Sequence, residues 1–158
     1  IILIQLIMKT VVLKFGGTSV GSIDRIKKVC KIIATYKKKQ NRVLVISSAM
    51  SGVTNELVKK SRQISNNFSK SEYDALVSTG EQVSCALIAG RLTHDGFKSR
   101  SWVSWQLPII TDGPYSGARI NKIITKELNN YVKKGGDPQL LLDFKELIMK
   151  IELLQWKK

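Results

Sequence analysis

The sequence predicts an α/β protein, a three-layer α/β/α sandwich around a mostly parallel sheet. Three observations carry that expectation. Short apolar runs of β-branched character, at Thr10–Leu13 and Arg42–Ile46, read as buried strands. Stretches with apolar residues at helical spacing follow each run. The resulting order, β-α-β-α-α-β-α, needs crossover connections and therefore parallel pairing. At 158 residues the chain is one domain at most, and its 43% apolar content suits a packed core.

Taken in order, residues Ile1 to Ile7 are too few to span a bilayer and lack the flanks of a signal peptide. They read as an upstream extension, with Met8 as the initiator. The first strand runs into Lys14-Phe15-Gly16-Gly17-Thr18-Ser19-Val20. A helix from about Ser22 to Tyr36 follows, with Ile23, Ile26, Val29, Cys30 and Ile33 on one face. The second strand ends in Ser47-Ser48-Ala49-Met50-Ser51-Gly52, small residues that admit a ligand at a strand's carboxyl end. Thr54 to Ile64 reads as a helix and Asn66 to Ser71 as a polar loop. Tyr73–Val77 and Glu81–Leu92 read as two helical segments separated by Ser78-Thr79-Gly80. Ser101–Val103 and Pro108–Thr111 read as short strands, and Ala118–Val132 as a basic helix with Ile120, Ile123, Ile124 and Leu128 inward.

A formal charge of +14 ordinarily raises nucleic acid or an anionic membrane as a partner. Here the lysines are spread over nearly every helix, and the densest run, Lys37-Lys38-Lys39, falls in an expected loop. The charge reads as composition bias, so neither a specific nucleic acid nor a membrane is expected as partner. Cys30 and Cys85 both lie on apolar helix faces, which fits reduced core thiols and a cytoplasmic setting. His94, the single histidine, makes neither a metal site nor a triad alone, and no metal site is expected.

The chemistry concentrates in three segments. At Lys14–Ser19 a lysine and two glycines stand where a strand gives way to a helix. Glycines allow backbone N–H groups close to a ligand, a helix N-terminus favours an anion, and Lys14, Thr18 and Ser19 add a charge and two hydroxyls. That is the chemistry of a phosphate site, although a tight turn with a solvated lysine has the same residues. The glycine spacings fit neither a Walker A loop nor a dinucleotide fingerprint. Ser78-Thr79-Gly80-Glu81 matches the S-x-x-E capping box, and on the residues alone a helix start is the better reading. The alternative makes Glu81 the acceptor for a substrate amine.

Lys14-Phe15-Gly16-Gly17-Thr18-Ser19, Ser48-Ala49-Met50-Ser51-Gly52-Val53-Thr54-Asn55 and Ser78-Thr79-Gly80-Glu81-Gln82-Val83-Ser84 occur in that order. Together they resemble the N-terminal kinase half of aspartokinase, in the amino-acid kinase superfamily. Thr111-Asp112 and Ala118-Arg119-Ile120 resemble a fourth block. The resemblance covers about Met8 to Gly135. It implies ATP-dependent phosphorylation of the side-chain carboxylate of L-aspartate, with Mg2+ accompanying the nucleotide, and a homo-oligomer for the intact family enzyme. Carried over residue by residue, Lys14 would neutralise the transferring phosphoryl group. Gly16, Gly17 and Ser19 would cradle ATP phosphates, and Ser48, Thr54 and Glu81 would hold aspartate.

The family's glycine-rich G-R-G-G-S-D block, nucleotide-binding half and regulatory ACT modules find no match here. The expected division is an extension at 1–7, the N-terminal part of the kinase domain at 8–135, and a non-family tail at 136–158. The fold is expected to be incomplete at its C-terminus and the 158-residue chain inactive. From about Gln139 the tail passes as a helix. Decoded with each triplet started one nucleotide earlier, one allowed codon choice reads P-V-I-A-G-F-Q-G-I-N-N-E-N-R-I-T-T-M-E-K. That resembles the family's next strand, its Phe-Gln-Gly turn and its R-I-T-T run, so the tail reads as out-of-frame. Two rival functions are a kinase for another acid such as acetylglutamate, and a non-catalytic basic remnant that binds anions or nucleic acid.

Overall fold

Arg42–Ser47 is buried from its second residue to its last, as a strand inside a parallel sheet must be. Around it, the computed structural model describes residues 9–142 apart from 40, 104 and 116. The elements in chain order are β1 (Thr10–Phe15), α1 (Ile23–Lys38), β2 (Arg42–Ser47), α2 (Val53–Ile64), α3 (Lys70–His94), β3 (Arg100–Trp102), β4 (Ile109–Asp112), β5 (Arg119–Ile123), α4 (Lys126–Lys133) and β6 (Gln139–Leu142). The main sheet has the order β1-β2-β6-β3, parallel throughout. Strands β4 and β5 form a separate antiparallel ribbon.

Successive residues of the two central strands face opposite cores. Val43, Val45 and Leu140 pack with Ile26, Val29 and Ile33 of α1 and Cys85, Ile88 and Leu92 of α3. Leu44, Ile46 and Leu141 pack on the other side with Trp102, Leu107, Ile120 of β5 and Leu128 of α4. Helix α2 lies against α3. The three layers are therefore helices α1 and α3, the sheet, and α4 with the β4–β5 ribbon. Cys30 and Cys85 are buried thiols outside any disulfide, and burial pushes the Cys30 thiol up to about 11, so it acts as a small apolar side chain.

Three local expectations give way to different structure. The Ser78-Thr79-Gly80 stretch does not separate two helices, because α3 runs unbroken through it. The Ser78 and Thr79 hydroxyls donate back to the carbonyls of Ala75 and Leu76, at 2.8 and 2.7 Å, so the polar run is satisfied within the helix. There is accordingly no capping box at Ser78. Within the expected helix 118–132, Arg119–Ile123 is instead strand β5, and only Lys126–Lys133 is helical. Ile110 pairs with Lys122 and Thr111 with Ile120, which leaves Asn121 as the extra residue of a bulge. The bulge puts Ile120 and Ile123 on the same core, so a spacing of three mimics a helical stripe. Gln139–Leu142, expected with helical character, is strand β6 between β2 and β3. The expectations for residues 1–8 and 143–158 lie outside the described residues.

Asp137 ties these parts together. Its side chain is 8% exposed, with Oδ2 2.8 Å from Lys37 Nζ at the end of α1. Its Oδ1 accepts the Val43 amide of β2 at 2.9 Å, and its own amide donates to the Lys98 carbonyl at 2.8 Å. Removing one partner of a buried ion pair costs about 3–5 kcal/mol. Asp137→Ala should fall towards the lower end of that range, because the Lys37 side chain keeps 27% exposure. Asp137→Asn retains an acceptor for the Val43 amide and should cost less. Urea unfolding of the three proteins measures the order, and an Asp137→Ala protein as stable as wild type would remove Asp137 from this role.

Candidate active site

The sequence-flagged residues lie at the carboxyl ends of β1 and β2 and on α3, the end of a parallel sheet where ligands bind. Leu13 and Phe15 pack towards α1, so the pleat puts Lys14 on the other side of the strand, where it is exposed beside Ile46. After Phe15 the chain turns through Gly16–Gly21 before α1 begins. Ser19 donates its amide to the Gly16 carbonyl at 2.9 Å, and the fully buried Val20 anchors the turn in the core. The amide of Ser19 is thus used inside the turn.

The helix N-terminus is further away than the sequence suggests. Ser22 is the N-cap of α1 and accepts the Arg25 amide at 3.3 Å, so several residues separate Gly17 from the first helical turn. Arg25 reaches back, its guanidinium donating to the Thr18 carbonyl. That places a second cation against the turn, a contribution the sequence reading missed. Its only signal was a lone arginine one turn into a helix that follows a glycine pair.

Backbone contacts join the first turn to the loop after β2. Ser48 donates its amide to the Phe15 carbonyl at 3.1 Å, and Ser51 donates to the Gly17 carbonyl at 3.1 Å. A Cβ at Gly17 would stand 2.8 Å from the Ala49 carbonyl oxygen, so only glycine fits there without backbone movement. Gly16, by contrast, has nothing within 4 Å of its Cβ position and faces open space. Gly52, at φ +87, turns the loop into α2, whose second residue is Thr54.

Helix α3 closes the third side. A Cβ at Gly80 would lie 3.1 Å from the Ala49 Cβ and 3.2 Å from the Val53 Cγ1, so this helix approaches the β2–α2 loop closely at its glycine. One turn on, the buried Ser84 donates its hydroxyl to the Ser48 carbonyl at 2.8 Å and lies 3.3 Å from the Ser47 hydroxyl. Its Oγ is also 2.9 Å from the carbonyl oxygen of Glu81. Ser84 therefore fixes the Glu81 turn against the Ser48 segment. Sequence reasoning gave it no role, although it stands at i+3 from Glu81. The structure brings the segments bearing Lys14, Gly16, Gly17, Ser19, Ser48, Thr54 and Glu81 to one end of the sheet.

Among the described residues, no group of three His, Cys, Asp or Glu side chains could hold a metal ion, and no helix is long and apolar enough to cross a membrane. The turn instead offers cations, glycine backbone and hydroxyls, a donor set for an anion rather than a bare cation.

Known proteins resemble this chain in sequence and in fold. Aspartokinase of Rickettsia conorii is 46% identical over 129 residues, covering 80% of this chain and 32% of the relative. Aspartokinase of Geobacillus stearothermophilus is 46% identical over 128 residues, covering 81% and 31%. The crystal structure of aspartate kinase from Synechocystis superposes with a TM-score of 0.67 at 32% identity, covering 84% of this chain and 21% of that one. The chain thus spans about a third of the length of the curated relatives it matches. A model of the amino acid kinase family matches residues 9–139, most of the sequence and all three site segments, and the chain belongs to that family.

Proposed function

We propose that this chain carries the substrate-facing part of an aspartate kinase, which transfers the γ-phosphoryl group of ATP to the side-chain carboxylate of L-aspartate. The observation that carries the reading is the joining of three segments at one end of the sheet. Gly17–Ser51 and Phe15–Ser48 hydrogen bonds tie the Lys14–Ser19 turn to the β2–α2 loop, and Ser84 ties that loop to the Glu81 turn. The family match runs through all three, and the 46% identity to two aspartokinases supports aspartate over another acid.

In this reading a carboxylate oxygen of aspartate attacks the γ-phosphorus, the bond to ADP breaks, and an acyl phosphate forms. The nucleophile is already ionised at neutral pH, so no general base is required. Lys14 offsets charge on the transferring phosphoryl group, with Gly16, Gly17 and the Ser19 hydroxyl along the phosphates. Ser48, Thr54 and Glu81 hold aspartate, Glu81 through the substrate's ammonium. Positioning and charge stabilisation supply most of the catalysis in such transfers. Mg2+ enters with the nucleotide, on phosphate oxygens, as part of the substrate. We assign the intact enzyme to the cytoplasm as a homo-oligomer without a specific nucleic-acid partner.

The domain division proposed is an extension at 1–7, kinase residues at 8–135, and a non-family tail at 136–158, out of frame from about Gln139. Sequencing the locus checks the last part: DNA in the alternative frame should continue towards an aspartokinase second half.

The function is tested in a chimaera that places residues 8–135 in the Geobacillus stearothermophilus aspartokinase in place of its matching segment. Aspartate-dependent ADP formation is expected, and a folded but inactive chimaera would overturn the reading. In it, Glu81→Gln should raise the aspartate KM by roughly 10–100-fold, the worth of a hydrogen bond to a charged group, while the ATP KM stays constant. An unmoved aspartate KM would return Glu81 to a structural role.

The two glycines should separate. Gly16→Ala meets open space, so it should leave the 158-residue chain's melting temperature unchanged while raising the chimaera's ATP KM. Gly17→Ala drives a Cβ against the Ala49 carbonyl and should destabilise the chain by about 1–3 kcal/mol. Equal effects of both substitutions on stability would contradict the geometry.

A further inference from the structure

At the amino-terminal ends of the strands, opposite the candidate active site, a cavity of about 20 Å3 lies between the sheet and α4. Thr10, Arg42 and Gln139, the first residues of β1, β2 and β6, line it together with Asp137, Leu128 and Val132. Two of these residues bring buried donors that no protein group accepts: Gln139 Nε2 and Arg42 Nε. The orientation of the Gln139 carboxamide is fixed independently. Its Oε1 accepts the Trp102 Nε1–H at 2.6 Å, and since an indole nitrogen only donates, the Gln139 nitrogen must be the atom left over. Gln139 is 2% exposed, so bulk solvent does not satisfy it.

We propose that this cavity is a built site for a single buried water. Roughly 10–15 Å3 suffices for one water, provided it finds two to four polar partners. Its oxygen accepts from Gln139 Nε2 and Arg42 Nε. Its two hydrogens have the Asp137 carboxylate and the Thr10 hydroxyl among the cavity's lining groups as acceptors. Two buried donors left unmade are costly, whereas one water answers both. Leu128 and Val132 of α4 give the site its apolar side. In effect the water is a shared rivet for the first residues of three parallel strands. The location fits a structural role, since ligands of parallel sheets bind at the other end.

Water-exchange NMR on the 158-residue chain tests this without any variant. Cross-relaxation between a long-lived water and both the Gln139 side-chain amide and the Arg42 Nε–H is expected, and its absence at both overturns the proposal. Val132→Ile supplies a second, opposed readout. Filling a dry cavity would raise the melting temperature, whereas expelling a bridging water should lower it by about 2–5 °C. A rise therefore counts against the water. A bromide peak in the cavity after soaking a crystal would assign the site to a halide and equally overturn it.

Discussion

The carboxylate of Asp137 takes its two hydrogen bonds from groups 100 and 94 residues earlier, the Lys37 ammonium and the Val43 amide. Contacts of that separation carry the entropy of closing a long loop and must be strong enough to offset it. Asp137 also stands two residues before β6, the strand that separates β2 from β3. Without β6, β1 and β2 would form one strand pair and β3 would have no partner within the sheet. Leu140 and Leu141 face opposite cores, so the same insertion completes both apolar clusters. The architecture thus depends on a segment late in the described chain, held at its start by one buried carboxylate.

The other end of the sheet is held differently. There the contacts are mostly backbone to backbone, and the deciding residues are small. Gly17 admits the Ala49 carbonyl, Gly80 admits Ala49 and Val53, and Ser84 supplies a hydroxyl to the Ser48 carbonyl. Small residues cost helix and strand stability in isolation, and a glycine inside a helix costs about 1 kcal/mol relative to alanine. Here the close approach they permit joins three chain segments at one end of the sheet. The amino ends of the strands, by contrast, use long polar side chains, Lys37, Arg42, Asp137 and Gln139, to fasten elements to one another.

Strands β1 and β2, helices α1 and α2, and the ligand-facing end of the sheet were legible because each is announced by local pattern. Val43 to Ile46 is an unbroken apolar run, and Ser22 and Asp24 mark a helix start that Ser22 does cap. The failures arise where tertiary contact overrides pattern. Ser-Thr-Gly-Glu carries every local mark of a helix beginning, yet packing against Ala49 keeps Gly80 inside a longer helix. Ile120 and Ile123 have helical spacing only because a bulge at Asn121 resets the strand's alternation. Arg25 and Ser84 act through backbone carbonyls, and no residue pattern advertises a carbonyl partner. The residues proposed for phosphate and aspartate were legible as a set because their segments resemble one family. Their mutual placement was legible only in three dimensions.

Position 139 also separates the two readings of the tail. A parallel strand buried on both faces requires apolar residues in succession, and little else. Leu140 and Leu141 meet that requirement, and so do the Val and Ile that the alternative frame puts there, so the sheet accepts either pair. The residue before them is a different matter. Gln139 gives Trp102 its hydrogen-bond acceptor at 2.6 Å, and with its unpaired amide nitrogen it lines the cavity shared with Arg42. The proline of the alternative frame is tolerable as the first residue of a strand, but it has neither carboxamide oxygen nor donor. A chain read in that frame would need a new acceptor for the Trp102 indole, and its cavity would hold one orphaned donor instead of two. The polar constellation around Gln139 is therefore specific to this frame, whereas the apolar slot beside it is common to both.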